Sequence, residues 1–203
     1  MGQRNKIYYA KNSGKTDVLG VRFKAGGLSA FTHMPVSLLL NSMVPAEFIF
    51  GPAVKNWGVL LQEKDDDKAR VKLLDALLQN AVKHTTGERP LMNHAMDALR
   101  NGSAEASIIT ICDETGLYYK KLERLFLKNI GYTPKYYHKI LRFNKALRLM
   151  RTNDSLTDIC YECDYFDQSH FIRDFKQLAG STPGRFKKED NKIAALLINY
   201  QPV

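Results

Sequence analysis

Apolar positions recur at three- and four-residue steps through most of the chain after residue 34, and this spacing predicts α-helices. Residues 65–84 show the pattern clearly, because an acidic start is followed by one apolar stripe, formed by Val71, Leu74, Leu78 and Val82. Shorter helical pieces are predicted at residues 35–41, 45–50 and 54–62. Further helices are predicted at residues 91–102, 104–114, 118–130, 133–151, 155–162, 167–179 and 182–190.

Strand-like patterns are confined to the first 34 residues. Residues 7–9 (IYY) and 18–23 (VLGVRF) flank the turn-rich stretch NSGKT and predict a β-hairpin. An isolated hairpin is marginally stable in water, so we expect it to pack on neighbouring helices. The clearest linker is residues 84–90 (HTTGERP). We therefore predict a small α+β region at residues 1–83, a helical domain at 91–190 and a tail at 191–203.

The helical domain contains an internal repeat. SIITICDETG (residues 107–116) and SLTDICYECD (155–164) share four identities, and LERLFLKNIGYTP (122–134) and FIRDFKQLAGSTP (171–183) share five. The offset changes from 48 to 49 between the two blocks. One structural unit is therefore used twice, with one residue inserted at its turn.

Each copy of the repeat predicts two short helices joined by a tight turn. Four features are duplicated: a serine cap on the first helix, a turn residue able to adopt the left-handed conformation, a glycine that ends the second helix, and a threonine cap followed by proline. The pairs are Ser107 and Ser155, Gly116 and Asp164, Gly131 and Gly180, and Thr133 and Thr182. The fold class is therefore mainly α, a bilobal double helix-turn-helix joined by a long connector helix at residues 133–151.

Positive charge is concentrated between residues 118 and 151. This segment carries ten Lys or Arg residues and one acid, Glu123, so its net charge equals the +9 of the whole chain. A solvated helix face usually interleaves acids with bases, and this one does not. The segment therefore favours an anionic partner, with a purely solvated face as the alternative.

The second helix of each copy places polar side chains outward near its start. Arg173 offers a guanine-type donor, Gln168 an adenine-type amide and Ile172 an apolar group for the thymine methyl. A recognition helix presents such residues to base edges in the major groove. Glu123 either accepts from cytosine or orients Arg124, and the sequence slightly favours orientation. Arg173 has the alternative of bonding a neighbouring helix.

These residues carry a family resemblance. Residues 159–186 (ICYECDYFDQSHFIRDFKQLAGSTPGRF) resemble the signature of the AraC/XylS family of bacterial transcription regulators, and residues 116–134 (GLYYKKLERLFLKNIGYTP) are similar to that family's first helix-turn-helix. The resemblance implies a double-stranded DNA-binding regulator with recognition helices at residues 118–130 and 167–179. It implies base contacts by Tyr119, Lys120, Glu123, Arg124, Gln168, Ser169, Ile172 and Arg173. Contacts to the DNA backbone are expected from Thr133, Lys135, Lys139, Arg142, Lys145, Lys176 and Thr182.

Two departures from the family pattern affect these expectations. Asp164 stands where the family usually has glycine, so we expect strain in the second turn and a gain in stability from Asp164→Gly. Residues 18–34 resemble the end of the β-rich sensor domain of some such regulators, particularly those of Bacteroidetes. Residues 1–83 are therefore expected to be a partial sensor-like or interaction domain.

Other functions remain as alternatives. A non-specific architectural DNA-binding protein would share the charge, and a protein-interaction module could occupy residues 1–83. Cys160 and Cys163 form a C-x-x-C pair, but no second pair completes a zinc site, and Cys112 repeats Cys160 by position. A thiol-dependent DNA repair protein would need an exposed cysteine of low pKa. We expect no enzyme activity, metal or cofactor.

The expected partner is double-stranded DNA, with RNA polymerase as a possible second partner and an effector ligand left open. The chain is expected to be a monomer or weak homodimer, because two helix-turn-helices in one chain remove the usual need for a dimer. It contains no run of eighteen apolar residues and no secretory signal pattern, so a cytoplasmic, nucleoid-associated protein is expected.

Overall fold

The computed structural model describes residues 3–5, 13–14, 18–83, 87–151 and 155–188. In these ranges every regular element is helical. The ten α-helices are α1 (Glu47–Phe50), α2 (Trp57–Gln62), α3 (Asp67–Ala81), α4 (Arg89–Asn101), α5 (Ala104–Thr115), α6 (Tyr119–Asn129), α7 (Pro134–Leu149), α8 (Leu156–Glu162), α9 (Gln168–Ala179) and α10 (Pro183–Lys188). Three short 3₁₀-helices, Gly27–Ala30, Val36–Leu39 and Pro52–Asn56, precede or follow α1. None of the described helices is long and apolar enough to cross a lipid bilayer.

The predicted β-hairpin is not observed. Residues 18–23 form irregular backbone, and residues 7–9 lie outside the described residues. Phe23 instead packs its ring against Phe31 and Phe50, with ring centroids 5.2 and 6.3 Å away. This side chain is therefore held by an aromatic cluster under α3, and burial of the ring does not require a strand.

The apolar stripe predicted for α3 is only partly correct. Leu78 packs on the small core formed by Phe31, Leu39 and Ile49, whereas Val71 and Val82 are exposed. The helix is also shorter than predicted, because Asp66 caps its start and Val82 leaves the helical conformation. Its C-terminal half faces the rest of the N-terminal region.

Two larger cores build the rest of the molecule. The first lies among α4, α5 and α6 and contains Leu99, Ile111 and Phe126. The second lies among α8, α9 and α10 and is dominated by Phe171 and Phe175. Helix α7 serves both, because it places Tyr137 in the first core and Phe143, Ala146 and Leu147 in the second. The connector helix is thus the shared wall of the two lobes.

The caps of the two repeats differ at one position. Ser155 caps α8 and forms a reciprocal capping box with Asp158, as expected for its copy. The prediction that Ser107 caps the first helix is wrong, because α5 begins earlier and its cap is Ser103, whose side chain accepts from the Ala106 amide. Ser107 lies inside α5 and donates its hydroxyl to the Ala98 carbonyl. The first copy therefore has an additional turn of helix, which ties α5 to α4.

The N-terminal region packs on the first lobe at the end of α6. Gly131 ends this helix with a φ of 90°, and a Cβ atom built there would lie 3.2 Å from Val36 Cγ1 and 2.6 Å from Gln3 Oε1. A larger residue here would be strained by the positive φ and would have to displace Gln3 and press on Val36. The 3₁₀-helix Val36–Leu39 therefore packs closely against the first lobe at Gly131.

Candidate nucleic-acid interface

Both helix-turn-helix units are present, and both turn through a left-handed residue. Gly116 has a φ of 65° between α5 and α6, and Asp164 has a φ of 57° between α8 and α9. A residue in this conformation redirects the chain after the first helix and so helps to orient the second helix against the first. Asp164 keeps the geometry that glycine gives the first copy, at the steric cost of its Cβ atom.

The start of α6 presents a small polar network to solvent. Glu123 accepts a hydrogen bond from Lys120 Nζ at 3.2 Å and from the Tyr119 hydroxyl at 3.4 Å. The pKa of Tyr119 is raised, mainly by its partial burial and further by the nearby Glu123 carboxylate. Lys120 is exposed and Glu123 and Tyr119 are half-buried, so the lysine is the member of this group that extends furthest from the helix.

The expectation that Glu123 orients Arg124 is wrong. Arg124 instead donates to the hydroxyl of Tyr118, at 3.0 Å, and Glu123 faces Lys120. Neighbouring residues on a helix point about 100° apart, whereas residues three or four apart share a face. The orienting group for Arg124 is therefore an exposed tyrosine at the helix cap.

The start of α9 is more open. Gln168 donates its amide to the Thr157 hydroxyl on α8 at 2.8 Å, which holds this side chain against the turn. Ser169 and Arg173 are exposed, and Ile172 is 39% exposed. Arg173 makes no hydrogen bond or ion pair with any other residue that the structure describes. The alternative in which it bonds a neighbouring helix is thus not the arrangement observed.

Phe166 is a candidate that the sequence analysis missed. It lies in the turn directly before the cap of α9 and its side chain is 94% exposed. An exposed aromatic ring costs hydration free energy, and here it stands beside the start of α9, the second helix of that helix-turn-helix. The sequence offered only a weak indication of it, because two adjacent aromatic residues do not show which one is exposed. The structure buries Tyr165 and exposes Phe166.

The predicted phosphate-binding residues divide into two groups. Lys135, Lys176 and Thr182 are exposed, and Thr133 and Lys145 are half-buried. Thr133 also caps α7, because its hydroxyl accepts from the Tyr136 amide at 3.2 Å. The other two, Lys139 and Arg142, have side chains only 15% and 16% exposed. Their ammonium and guanidinium groups both have partners within the protein.

Lys139 and Arg142 both bind Asp174, which the sequence analysis did not select. Lys139 Nζ lies 2.7 Å from one Asp174 carboxylate oxygen and Arg142 Nη2 lies 3.4 Å from the other. One pattern in the sequence indicated this residue. Asp174 falls on the apolar stripe of α9 between Phe171 and Phe175, and an acid at such a position needs a buried cationic partner.

The cysteines have the environment of core residues. Cys160 and Cys163 are buried and Cys112 is half-buried, and all three are free thiols. Burial raises the pKa of each thiol, and that of Cys163 reaches about 11. A thiol of raised pKa stays protonated near neutral pH and is a poor nucleophile. Within the described residues, no group of three or more Cys, His, Asp and Glu side chains could hold a metal ion.

Two histidines have carboxylate partners that the sequence did not reveal. His94 Nε2 lies 2.7 Å from Glu114 on the next helix, and His170 Nε2 lies 3.3 Å from Asp174 one turn along α9. The His94 pair is exposed on the first lobe, and the His170 pair belongs to the Asp174 cluster. The first pair therefore links α4 to α5, and the second links two successive turns of α9.

Part of the chain is similar to known helix-turn-helix proteins. Residues 111–189 match the family described as "Helix-turn-helix domain". The HTH-type transcriptional activator RhaS of Escherichia fergusonii is 32% identical over 123 residues, which cover 58% of this chain and 44% of the relative. RhaS of an Enterobacter species is 33% identical over 99 residues, covering 48% and 36%, and RhaS of Citrobacter koseri is 38% identical over 69 residues, covering 34% and 25%.

The chain thus spans less than half the length of these curated relatives. The family match begins inside α5 and ends just beyond α10, so it contains both turns, both second helices and the connector. Residues 111–189 therefore form a helix-turn-helix domain similar to that of these transcriptional activators.

Proposed function

We propose that this chain is a transcription regulator of the AraC/XylS type that reads duplex DNA with α6 and α9. One observation carries the proposal: two helix-turn-helix units with matching left-handed turns each expose polar side chains at the start of the second helix. In DNA-binding helix-turn-helix proteins that end of the second helix enters the major groove. The similarity of residues 111–189 to HTH-type activators supports the same assignment.

The proposed base contacts are assigned by side-chain chemistry. Lys120 and Arg124 on α6 and Arg173 on α9 supply long donors suited to guanine. Gln168 supplies an amide suited to adenine, which exchanges its bond to Thr157 for a base edge when DNA binds. The remaining proposed contacts are Tyr119, Glu123, Ser169 and Ile172, of which Ile172 fits the thymine methyl.

The proposed phosphate contacts come from the exposed part of the basic segment. Lys135 and Lys176 extend into solvent, and Lys145 is half-buried without a carboxylate within ion-pair distance among the described residues. Thr133 and Thr182 stand at the starts of α7 and α10. Each phosphate neutralised by such residues releases condensed counterions, so DNA affinity should fall steeply with added salt.

Activation of transcription is proposed because the relatives are transcriptional activators. An activator bound upstream of a promoter needs a surface that contacts RNA polymerase, and a surface outside α6 and α9 would have to serve.

A cavity of about 450 Å³ lies where the N-terminal region meets the first lobe, lined by Val21, Phe23, Ile130 and Tyr137 among others. Its apolar lining and size suit a small effector ligand.

Selection of binding sites from random duplex DNA tests the proposal. The full chain is incubated with the random pool at about 150 mM salt, and bound duplexes are amplified and sequenced beside a shuffled pool. We expect a bipartite motif whose two parts lie about one helical turn apart, because each lobe reads one major-groove segment. Salt-sensitive binding without any enriched motif would favour an architectural protein instead.

A further inference from the structure

Asp174 is a buried carboxylate on the inner face of the second recognition helix. Only 6% of the residue is exposed, and Phe171 and Phe175 flank it in the core of the second lobe. An ionised carboxylate is found in such a place only when cations and hydrogen bonds replace its hydration. Here the cations come from another helix, the connector α7.

Lys139 reaches α9 at two points. Its Nζ lies 2.7 Å from Asp174 Oδ1 and donates to Gln177 Oε1 at 2.6 Å. Asp174 and Gln177 are three residues apart, so the lysine joins two successive positions on one face of the helix. These two contacts use two of the three donors of the ammonium group, and the lysine side chain is only 15% exposed, so little of it is available to a phosphate on the outer surface.

Arg142 extends the same attachment to the turn. Its Nη2 lies 3.4 Å from Asp174 Oδ2, and its Nη1 donates to the Asp164 carbonyl at 3.3 Å. Its guanidinium group stacks over the Tyr165 ring, 4.0 Å from the centroid. His170 Nε2 approaches Asp174 Oδ2 at 3.3 Å from the start of α9. The carboxylate is thus the common partner of groups on the connector and the recognition helix.

We propose that Asp174 fixes the second recognition helix on the connector and withholds Lys139 and Arg142 from DNA phosphates. The inference rests on the proposed function, because it concerns which side chains of the DNA-binding surface contact bases selectively and which contact phosphates without selectivity. Lys139 and Arg142 belong to the basic segment by sequence, yet the structure uses them to set the position of α9. Asp174 is accordingly a positioning residue whose loss increases non-selective affinity and decreases selectivity.

The first test is the salt dependence of Asp174→Asn, a variant that keeps the shape of the side chain. Affinity for the selected duplex and for a shuffled duplex is measured between about 50 and 300 mM salt. We expect the slope of log affinity against log salt to steepen by about 0.9 to 1.8, because one or two released cations reach phosphates. We expect the ratio of selected to shuffled affinity to fall by about tenfold or more, as a displaced α9 loses its base contacts.

Glu162→Gln is the matched control. Glu162 is an exposed acid at the end of α8, so its neutralisation changes the net charge by the same amount without releasing a buried cation. We expect a slope within about 0.3 of the parent protein, since no additional phosphate is contacted. Equal slopes for Asp174→Asn and Glu162→Gln would overturn the proposal.

A second pair of variants keeps the test decisive if Asp174→Asn fails to fold. Lys139→Met should leave the salt slope unchanged and reduce selectivity, whereas Lys145→Met should reduce the slope by about 0.9. A loss of slope in Lys139→Met equal to that in Lys145→Met would show that Lys139 contacts phosphate, against the proposal. Thermal unfolding and circular dichroism establish that each variant is folded.

Failure of the proposed function is distinguishable from failure of this inference. If the parent protein had no sequence preference, the proposal that it reads DNA selectively would be contradicted. The salt slopes of the four variants would still decide whether Lys139 and Arg142 are withheld from phosphates. The attachment of α9 is also measured without DNA, by amide hydrogen exchange. Exchange in α9 should accelerate in Lys139→Met and not in Lys145→Met, and equal exchange in both would contradict the positioning role.

Discussion

Gly116 and Asp164 adopt the same left-handed backbone conformation, with φ of 65° and 57°, at the turns of the two helix-turn-helix units. Glycine adopts this conformation freely, whereas a residue with a Cβ atom is strained in it. The side chain of Asp164 is exposed, and its carbonyl accepts from Arg142. The second turn therefore keeps its geometry although its residue type is less suitable.

Asp164→Gly should stabilise the protein by about 0.5–1 kcal/mol, because strain relief at positive φ exceeds the entropy that glycine adds to the unfolded chain. Thermal unfolding measures this as a higher Tm. Gly116→Asp makes the reverse change in the first copy, where a Cβ atom would meet no heavy atom within 4 Å. It should lower the Tm by a similar amount, and a lower Tm for Asp164→Gly would contradict the strain argument.

Arg173→Ala should relax sequence preference with little change in the salt slope. A bidentate contact to a base contributes about 1–3 kcal/mol of discrimination, so preference at one position of the motif should fall about 5- to 150-fold. The measurement is binding of duplexes that vary at single positions, at fixed salt.

Lys176→Ala, one turn later on the same exposed face of α9, is the control for Arg173→Ala. Because Lys176 is a proposed phosphate contact, its loss should weaken binding to the selected and the shuffled duplex equally. It should also reduce the slope of log affinity against log salt by about 0.9. If Arg173→Ala also lost affinity equally for both duplexes, Arg173 would contact the DNA backbone and not a base.

The buried thiols should be inert in the folded protein. Burial raises the pKa of Cys163 to about 11 and also raises that of Cys160, so neither is a thiolate near pH 8. Alkylation by iodoacetamide, followed by mass spectrometry, should modify Cys112 first, since it is only half-buried. The chain unfolded in guanidinium should react at all three cysteines, and rapid reaction of native Cys163 would revive a thiol-dependent activity.

Stability should fall as the pH drops below about 6.5 because of His138. Burial, reinforced by Arg142, lowers the pKa of this histidine, and its Nε2 donates to the Gly102 carbonyl at 3.0 Å. The unfolded chain therefore takes up a proton at a higher pH than the folded chain, and stability present above pH 6.5 is lost as the pH falls towards the lowered pKa. Urea unfolding at pH 7.5 and 5.5 measures the effect.

His138→Gln keeps a donor for the Gly102 carbonyl but does not titrate. The difference in unfolding free energy between the two pH values should be smaller in this variant than in the parent protein. An identical pH dependence in both would mean that the loss of stability arises from other groups.

Much of the helix-turn-helix domain could be predicted from the sequence alone. The repeat located both units. The structure confirms the caps at Thr133 and Ser155, the two turn residues, and the burial of Phe171 and Phe175. These features depend on residues within about four positions of each other, through helix periodicity and backbone conformation. The identity of Ser103 as the first cap was missed because Ser107 stood in register with Ser155.

Tertiary structure alone decided which basic residues remain available on the surface. Lys135 and Lys139 lie one turn apart on α7, yet the first is exposed and the second is bound to Asp174 on a distant part of the chain. The aromatic packing of Phe23 likewise replaced the predicted strand. The physical reason is that a side chain's partner across two packed helices depends on how those helices cross, and the linear pattern carries no measure of that geometry.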